Sequence, residues 1–156
     1  MLIIILRHAD AEPHCADDAA RRLTERGYKQ AKRVGCFLKE QGLRPDIILT
    51  SPAVRARDTA EIAGKILGVQ DPLQVPWASC GMEPIAALGE LASYNRFKTL
   101  MLVGHEPDLS SLIATLLGMG KSLSLSLPKA SLTAIEVPRL TPASGILQFL
   151  LPVKFL

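Results

Sequence analysis

Apolar positions along the chain follow two kinds of pattern, and the two alternate. Five short runs are dense in apolar residues: Leu2–Leu6, Asp46–Thr50, Thr99–Val103, Leu132–Val137 and Ile146–Leu151. The first three are continuous rather than alternating, which predicts central strands covered on both faces. Between the runs, apolar residues recur at helical spacing. Tyr28, Ala31, Val34, Gly35 and Leu38 form one stripe behind Thr24, a capping residue, and the pattern stops near Gly42 with Pro45 beyond. Ser51-Pro52 predicts a second helix start, with serine as N-cap and proline at the first helical position. That helix runs through Ile62, Ala63, Ile66 and Leu67 to Gly68. A shorter helix is predicted over Glu83–Leu91. The last begins at Pro107-Asp108 and carries Leu109, Leu112, Ile113, Leu116 and Leu117 before Gly118.

Strands alternating with helices predict crossovers and a mostly parallel sheet. Only Pro138–Gly145 separates the last two strands, too little for a helical crossover, so they are expected to pair as an antiparallel hairpin at the edge. A length of 156 residues without repeat or low-complexity linker predicts one α/β domain over residues 1–156. Aromatics are only 4%, which disfavours a stacking platform for single-stranded nucleic acid. The net charge of +3 has no run of like charges, so it suits a small anionic group better than a long polyanion. Cys15, Cys36 and Cys80 are odd in number and far apart, without zinc spacing, as in a reduced cytoplasmic protein. The N-terminal apolar run lacks a basic leader and is too short to span a bilayer, so no membrane association is expected.

In an open α/β sheet, ligands bind outside the carboxyl ends of the strands. Arg7-His8-Ala9-Asp10 follows the first strand, Thr50-Ser51-Pro52-Ala53-Val54-Arg55 the second, and Gly104-His105-Glu106-Pro107 the third. If these strands are parallel, two of the chain's three histidines and two arginines meet at one edge. Arginine forks suit phosphate oxygens, and helices starting at the same edge add positive ends. A neutral imidazole there can attack phosphorus, and a second, protonated one can stabilise the transition state. Such a site needs no metal and no organic cofactor. Arg55 lies in the first turn of its helix, where a positive charge opposes the dipole, so its place favours anion binding over a structural role. Arg57 and Asp58, by contrast, suit a solvated helix face, and His14 a surface loop.

Arg7-His8 after an N-terminal strand, Ser51-Pro52-x-x-Arg55, and Gly104-His105 after a later strand together resemble the histidine phosphatase superfamily, with its phosphoglycerate mutase-like fold. The compact length and the pattern Arg-x-Leu-Thr-Glu-x-Gly at Arg21–Gly27 are similar to its small bacterial branch, the phosphohistidine phosphatases of the SixA type. The resemblance implies a three-layer α/β/α fold. It implies that His8 is the nucleophile, that Arg7, Arg55 and His105 complete the phosphate pocket, and that Arg21 is a further basic residue near it. It points to phosphohistidine on a two-component phosphotransfer domain as substrate. Ala9 departs from the pattern, since most of the superfamily has glycine there, and a positive φ would be costly for alanine.

The proton donor is the open position. Asp18, Glu83 and Glu106 are all candidates for a general acid, and Glu106 also suits a helix N-cap. An alkoxide leaving group benefits from a placed acid, whereas an imidazole titrates near neutrality and depends on it less. A small-molecule phosphomonoesterase and a non-catalytic phosphate-binding module are the alternatives. Two decoys weaken on inspection. Cys15-x5-Arg21 has cysteine-phosphatase spacing but holds Asp17 and Asp18, whose charge repels phosphate. Gly120-Lys121-Ser122 ends like a phosphate-binding loop but has Thr115 in place of the first glycine.

Overall fold

The computed structural model describes residues 1–13, 16–120 and 125–156. Its strands are β1 (Leu2–Arg7), β2 (Ile47–Thr50), β3 (Leu73–Gln74), β4 (Thr99–Gly104), β5 (Leu132–Glu136) and β6 (Ile146–Leu151). They form one sheet in the order β3-β2-β4-β1-β5-β6. The first four in that order pair in parallel, while β5 runs antiparallel to β1 and β6 antiparallel to β5. The mostly parallel sheet with an antiparallel C-terminal edge is as the pattern predicts. β3 is the addition. Its two exposed residues follow Pro72 and are too few to show any period.

Among the described residues four α-helices cover the sheet: α1 (Glu25–Glu40), α2 (Val54–Leu67), α3 (Pro84–Ala92) and α4 (Asp108–Leu117). Successive side chains of a strand point to opposite faces. Ile4, Leu6, Ile48, Met101 and Val103 accordingly pack with α1 and α2, through Ala31, Val34, Leu38, Ala56, Ala60 and Ala63. Ile3, Ile5, Leu49, Leu100 and Leu102 pack on the other side with Leu88 and Leu91 of α3 and Leu109, Leu112, Ile113 and Leu116 of α4. Both faces being covered is why the three central strands are apolar without alternation.

Two local expectations need correction. Tyr28 is 44% exposed, and Gly27 and Gln30 take the buried positions beside Ala31. The cause is close approach: a Cβ on Gly27 would lie 2.0 Å from the carbonyl oxygen of Asp10, so only glycine lets α1 meet the segment after β1. Thr24 caps α1 as expected, accepting from the Gly27 N–H at 3.1 Å, and its hydroxyl also donates to Asp10 Oδ2 at 2.7 Å. The second correction concerns Ser51. Helix α2 starts at Val54 with Ala53 as N-cap and no side-chain cap. Ser51 still donates its N–H to the Val103 carbonyl at 3.0 Å, so the chain is held by the sheet there and turns helical only afterwards.

Candidate active site

Strand register assembles the site. Arg7 is paired with Gly104, and Thr50 with Val103, so β1, β2 and β4 end at one level. The ladder runs on past the strands, with the His8 N–H donating to the Gly104 carbonyl at 3.0 Å. His8 and His105 therefore emerge side by side, with ring centroids 5.1 Å apart and planes inclined by 58°. Arg55 reaches them from the first turn of α2. Despite their polarity, His8, His105 and Arg55 are only 3%, 3% and 2% exposed.

His8 has its roles fixed by its neighbours. Its Nδ1 lies 2.8 Å from the Ala9 carbonyl oxygen, which can only accept, so Nδ1 carries the proton and Nε2 keeps a lone pair. Burial, and next the Lys129 ammonium, push the ring's pKa down to about 2. Ala9 is fully buried, donates its N–H to Thr59 Oγ1 at 3.0 Å and is not among the residues with positive φ. The position therefore accepts alanine without left-handed strain.

His105 places Nε2 at 2.8 Å from Ser51 Oγ, which also accepts from the Ala53 N–H at 3.3 Å. With the serine hydrogen directed to Nε2, Nδ1 carries the N–H of His105. That buried Nδ1 has no partner among the described residues, nor do Nε of Arg7 and Nε of Arg55. Buried donors of this kind are satisfied in nearly all proteins, and a bound anion would satisfy these. Burial, then the Arg55 charge, lowers the His105 pKa to about 4, against the pull of Asp18. His105 is thus neutral near pH 7, unlike the protonated donor considered from sequence, and donates through one N–H.

Arg21 joins the site through Asp18. The Asp18 carboxylate accepts from Arg55 Nη2 at 3.0 Å and pairs with Arg21 Nε at 2.9 Å, and its carbonyl accepts from Arg55 Nη1 at 2.6 Å. Desolvation is the largest single influence and opposes the Asp18 charge, but the charges and hydrogen bonds of Arg55 and Arg21 together outweigh it and hold this carboxyl below its usual range. Glu83 caps α3, accepting from the Ala86 N–H at 2.7 Å. Glu106 accepts from the Ser110 N–H at 3.1 Å and the Ser110 hydroxyl at 3.0 Å in the first turn of α4. All three acid candidates are thus engaged elsewhere or held ionised. Arg57 lies on the outer face of α2, 3.7 Å from Asp58 and 3.6 Å from Glu61.

Sequence reasoning missed two residues here. Ser51 carried the signal of a helix cap, which concealed its bond to His105. Lys129, with Nζ 3.4 Å from His8 Nε2, lies before β5 rather than after a parallel strand. An antiparallel strand starts where parallel neighbours end, so the residues preceding β5 were the ones to inspect. His14, Cys15, Lys121 and Ser122, and with them both decoy motifs, lie outside the described residues. Cys36 and Cys80 are free thiols. Among the described residues no helix is long and apolar enough to cross a membrane.

A family model for the histidine phosphatase superfamily (branch 1) matches residues 3–75. Over 118 residues the chain is 39% identical to an uncharacterized protein of Picosynechococcus, covering 70% of this chain and 68% of that one. It is 27% identical over 121 residues to the phosphohistidine phosphatase SixA of Escherichia coli, covering 74% of each. The solved structure of the protein histidine phosphatase SixA complexed with tungstate superposes with a TM-score of 0.88 at 20% identity, over 99% of both chains.

Proposed function

The chain belongs to the histidine phosphatase superfamily, and on that premise we propose that it hydrolyses phosphohistidine on a signalling protein, such as a two-component phosphotransfer domain. We read residues 1–156 as one catalytic domain working in the cytoplasm without metal or organic cofactor, with His8 as nucleophile. Arg7, Arg55, His105 and, through Asp18, Arg21 are assigned to the phosphoryl group. The observation that carries the choice of substrate is the state of the carboxyl groups. Glu83 and Glu106 are bonded to helix N-termini and Asp18 is held ionised between two arginines, so none is placed to protonate a leaving oxygen. A phosphorus–nitrogen substrate tolerates that arrangement better than an ester does.

In the first step the Nε2 lone pair of His8 attacks phosphorus and the bond from phosphorus to the substrate imidazole breaks. When the other nitrogen of that imidazole already carries a proton, the ring departs neutral and no enzyme acid is required. The phosphorylated His8 ring keeps its Nδ1–H on the Ala9 carbonyl, which steadies the charge it acquires. Water then attacks phosphorus, the Nε2–P bond breaks and its electron pair returns to Nε2. The proton lost by water leaves with phosphate or to solvent. Buried N–H groups of Arg7, Arg55 and His105 suit the oxygens that gain charge on the way.

The test is turnover of a phosphohistidine protein beside p-nitrophenyl phosphate, with wild type and His8→Ala. Expected are a rate far higher on the phosphohistidine protein and loss of both activities in the variant, by about 10⁴-fold or more. Turnover of the ester alone would make the protein a small-molecule phosphomonoesterase. Silence on both, with vanadate still bound, would leave a phosphate-binding module.

A further inference from the structure

The segment before β5 is tied to the end of β1 at four points. The Arg7 N–H donates to the Ser131 carbonyl at 3.1 Å, and the Ala130 N–H donates to the His8 carbonyl at 3.2 Å. The Arg7 guanidinium donates to the Leu127 carbonyl. Between these bonds Lys129 extends its Nζ to 3.4 Å from His8 Nε2 and donates to the lone pair of that nitrogen. Ala130 completes the turn fully buried and at a φ of +56°, a conformation rare for alanine, so the surrounding bonds hold this backbone where it is. Lys129 remains partly accessible and lines a cavity of about 380 Å³ together with Asp10, Arg26 and Lys154.

We propose that Lys129 is a further catalytic residue, whose ammonium donates to an equatorial oxygen of the phosphoryl group as it arrives on, and departs from, His8 Nε2. The inference rests on the phosphatase reading. Attack and departure at phosphorus are roughly in line, so the leaving atom lies across phosphorus from Nε2. A donor beside Nε2 is on the near side, within reach of the equatorial oxygens and away from the leaving group. Lys129 is therefore not the missing acid. It gives up no proton and supplies charge where oxygen charge develops. Without substrate, the same ammonium faces the Nε2 lone pair and opposes its protonation, and it turns to a phosphoryl oxygen when phosphorus takes that lone pair.

The placement has a consequence for pH. Lys129 faces Arg7 and His8 at the end of β1, Asp10 beyond them, Arg21 before α1, Arg55 on α2 and, across the cavity, Arg26 and Lys154. Burial first, then Arg7, Arg21 and Arg55, lower its pKa to about 8, with Asp10 opposing. The ammonium is present below that value and lost above it, so kcat/KM is expected to fall as pH rises through about 8.

The experiment measures kcat/KM on both substrates over about pH 6 to 9 for wild type, Lys129→Met and Lys129→Arg, with thermal melts of each. Expected are a loss of about 100-fold in Lys129→Met, disappearance of the alkaline fall, and recovery of rate in Lys129→Arg with the fall moved to higher pH. An active wild type whose rate Lys129→Met leaves unchanged overturns the assignment and spares the phosphatase reading. If Lys129→Met fails to fold, the wild-type profile decides, because a rate that holds level well above pH 8 also overturns it. A wild type that neither turns over substrate nor carries phosphate on His8 overturns the phosphatase reading, and this assignment with it.

Discussion

The parallel and antiparallel halves of the sheet meet at β1 and supply the site from opposite chain directions. On the parallel side, β1, β2 and β4 end together, Arg7 closes β1, and the other residues follow their strands: His8 after β1, Ser51 and Arg55 after β2, His105 after β4. On the antiparallel side, β5 begins at that level, and Lys129 precedes it. Burial separates the centre of the sheet from its C-terminal edge strand. Ile3–Leu6 and Leu100–Val103 have no exposed surface, whereas Ile146 and Leu147 of β6 are 54% and 45% exposed. The covered strands on either side of β1, β4 and β5, form a core that holds buried polar groups in place. The antiparallel half opens only at β6, and its contribution to the site is a single loop.

Acid should separate the halves most strongly. His8 and His105 are neutral in the folded protein, with pKa values lowered to about 2 and about 4 from an ordinary 6.5. The unfolded chain therefore binds more protons as pH falls below 6.5, and the folded state loses stability from there towards about pH 4, where His105 takes its proton. A melting temperature that falls across this window in wild type, and less steeply in His105→Ala, is the expected result. A slope unchanged by that substitution would show that the histidine cluster is not a neutral buried unit.

Arg55→Ala is expected to weaken vanadate binding by roughly 2 kcal/mol or more, since it removes a buried fork from the parallel side. It also removes one of the two arginines holding Asp18. Calorimetric titration measures this, and unchanged affinity would take Arg55 out of the anion pocket. The smallest effect belongs to the outer edge. Ile146→Ser should alter stability by no more than about 0.5 kcal/mol in denaturant unfolding, because that side chain is already largely in water. A larger loss would mean that the edge strand supports the core more than its exposure implies.

Most elements and most of the convergent residues were legible in the sequence because each depends on short spans. A continuous apolar run marks a strand covered on both faces, and residues behind such runs share an edge once the strands are parallel. Thr24, Gly68 and Gly118 mark helix ends through local backbone geometry, and the latter two are indeed left-handed C-caps. The sequence by itself therefore determined the element order apart from β3, the parallel sheet with its antiparallel edge, and the cluster around His8, Arg55 and His105.

Tertiary structure decided what those residues do to one another. Ser51 looked like a cap until strand register set it beside His105, and Glu83 and Glu106 stayed open as acids until their oxygens were found on the amides of α3 and α4. Lys129 lies 121 positions from His8, a separation that no local pattern bridges. Hydrogen bonds and charge coupling act over a few ångströms of space, so protonation states, tautomers and ion pairs are settled only when distant segments have been packed together.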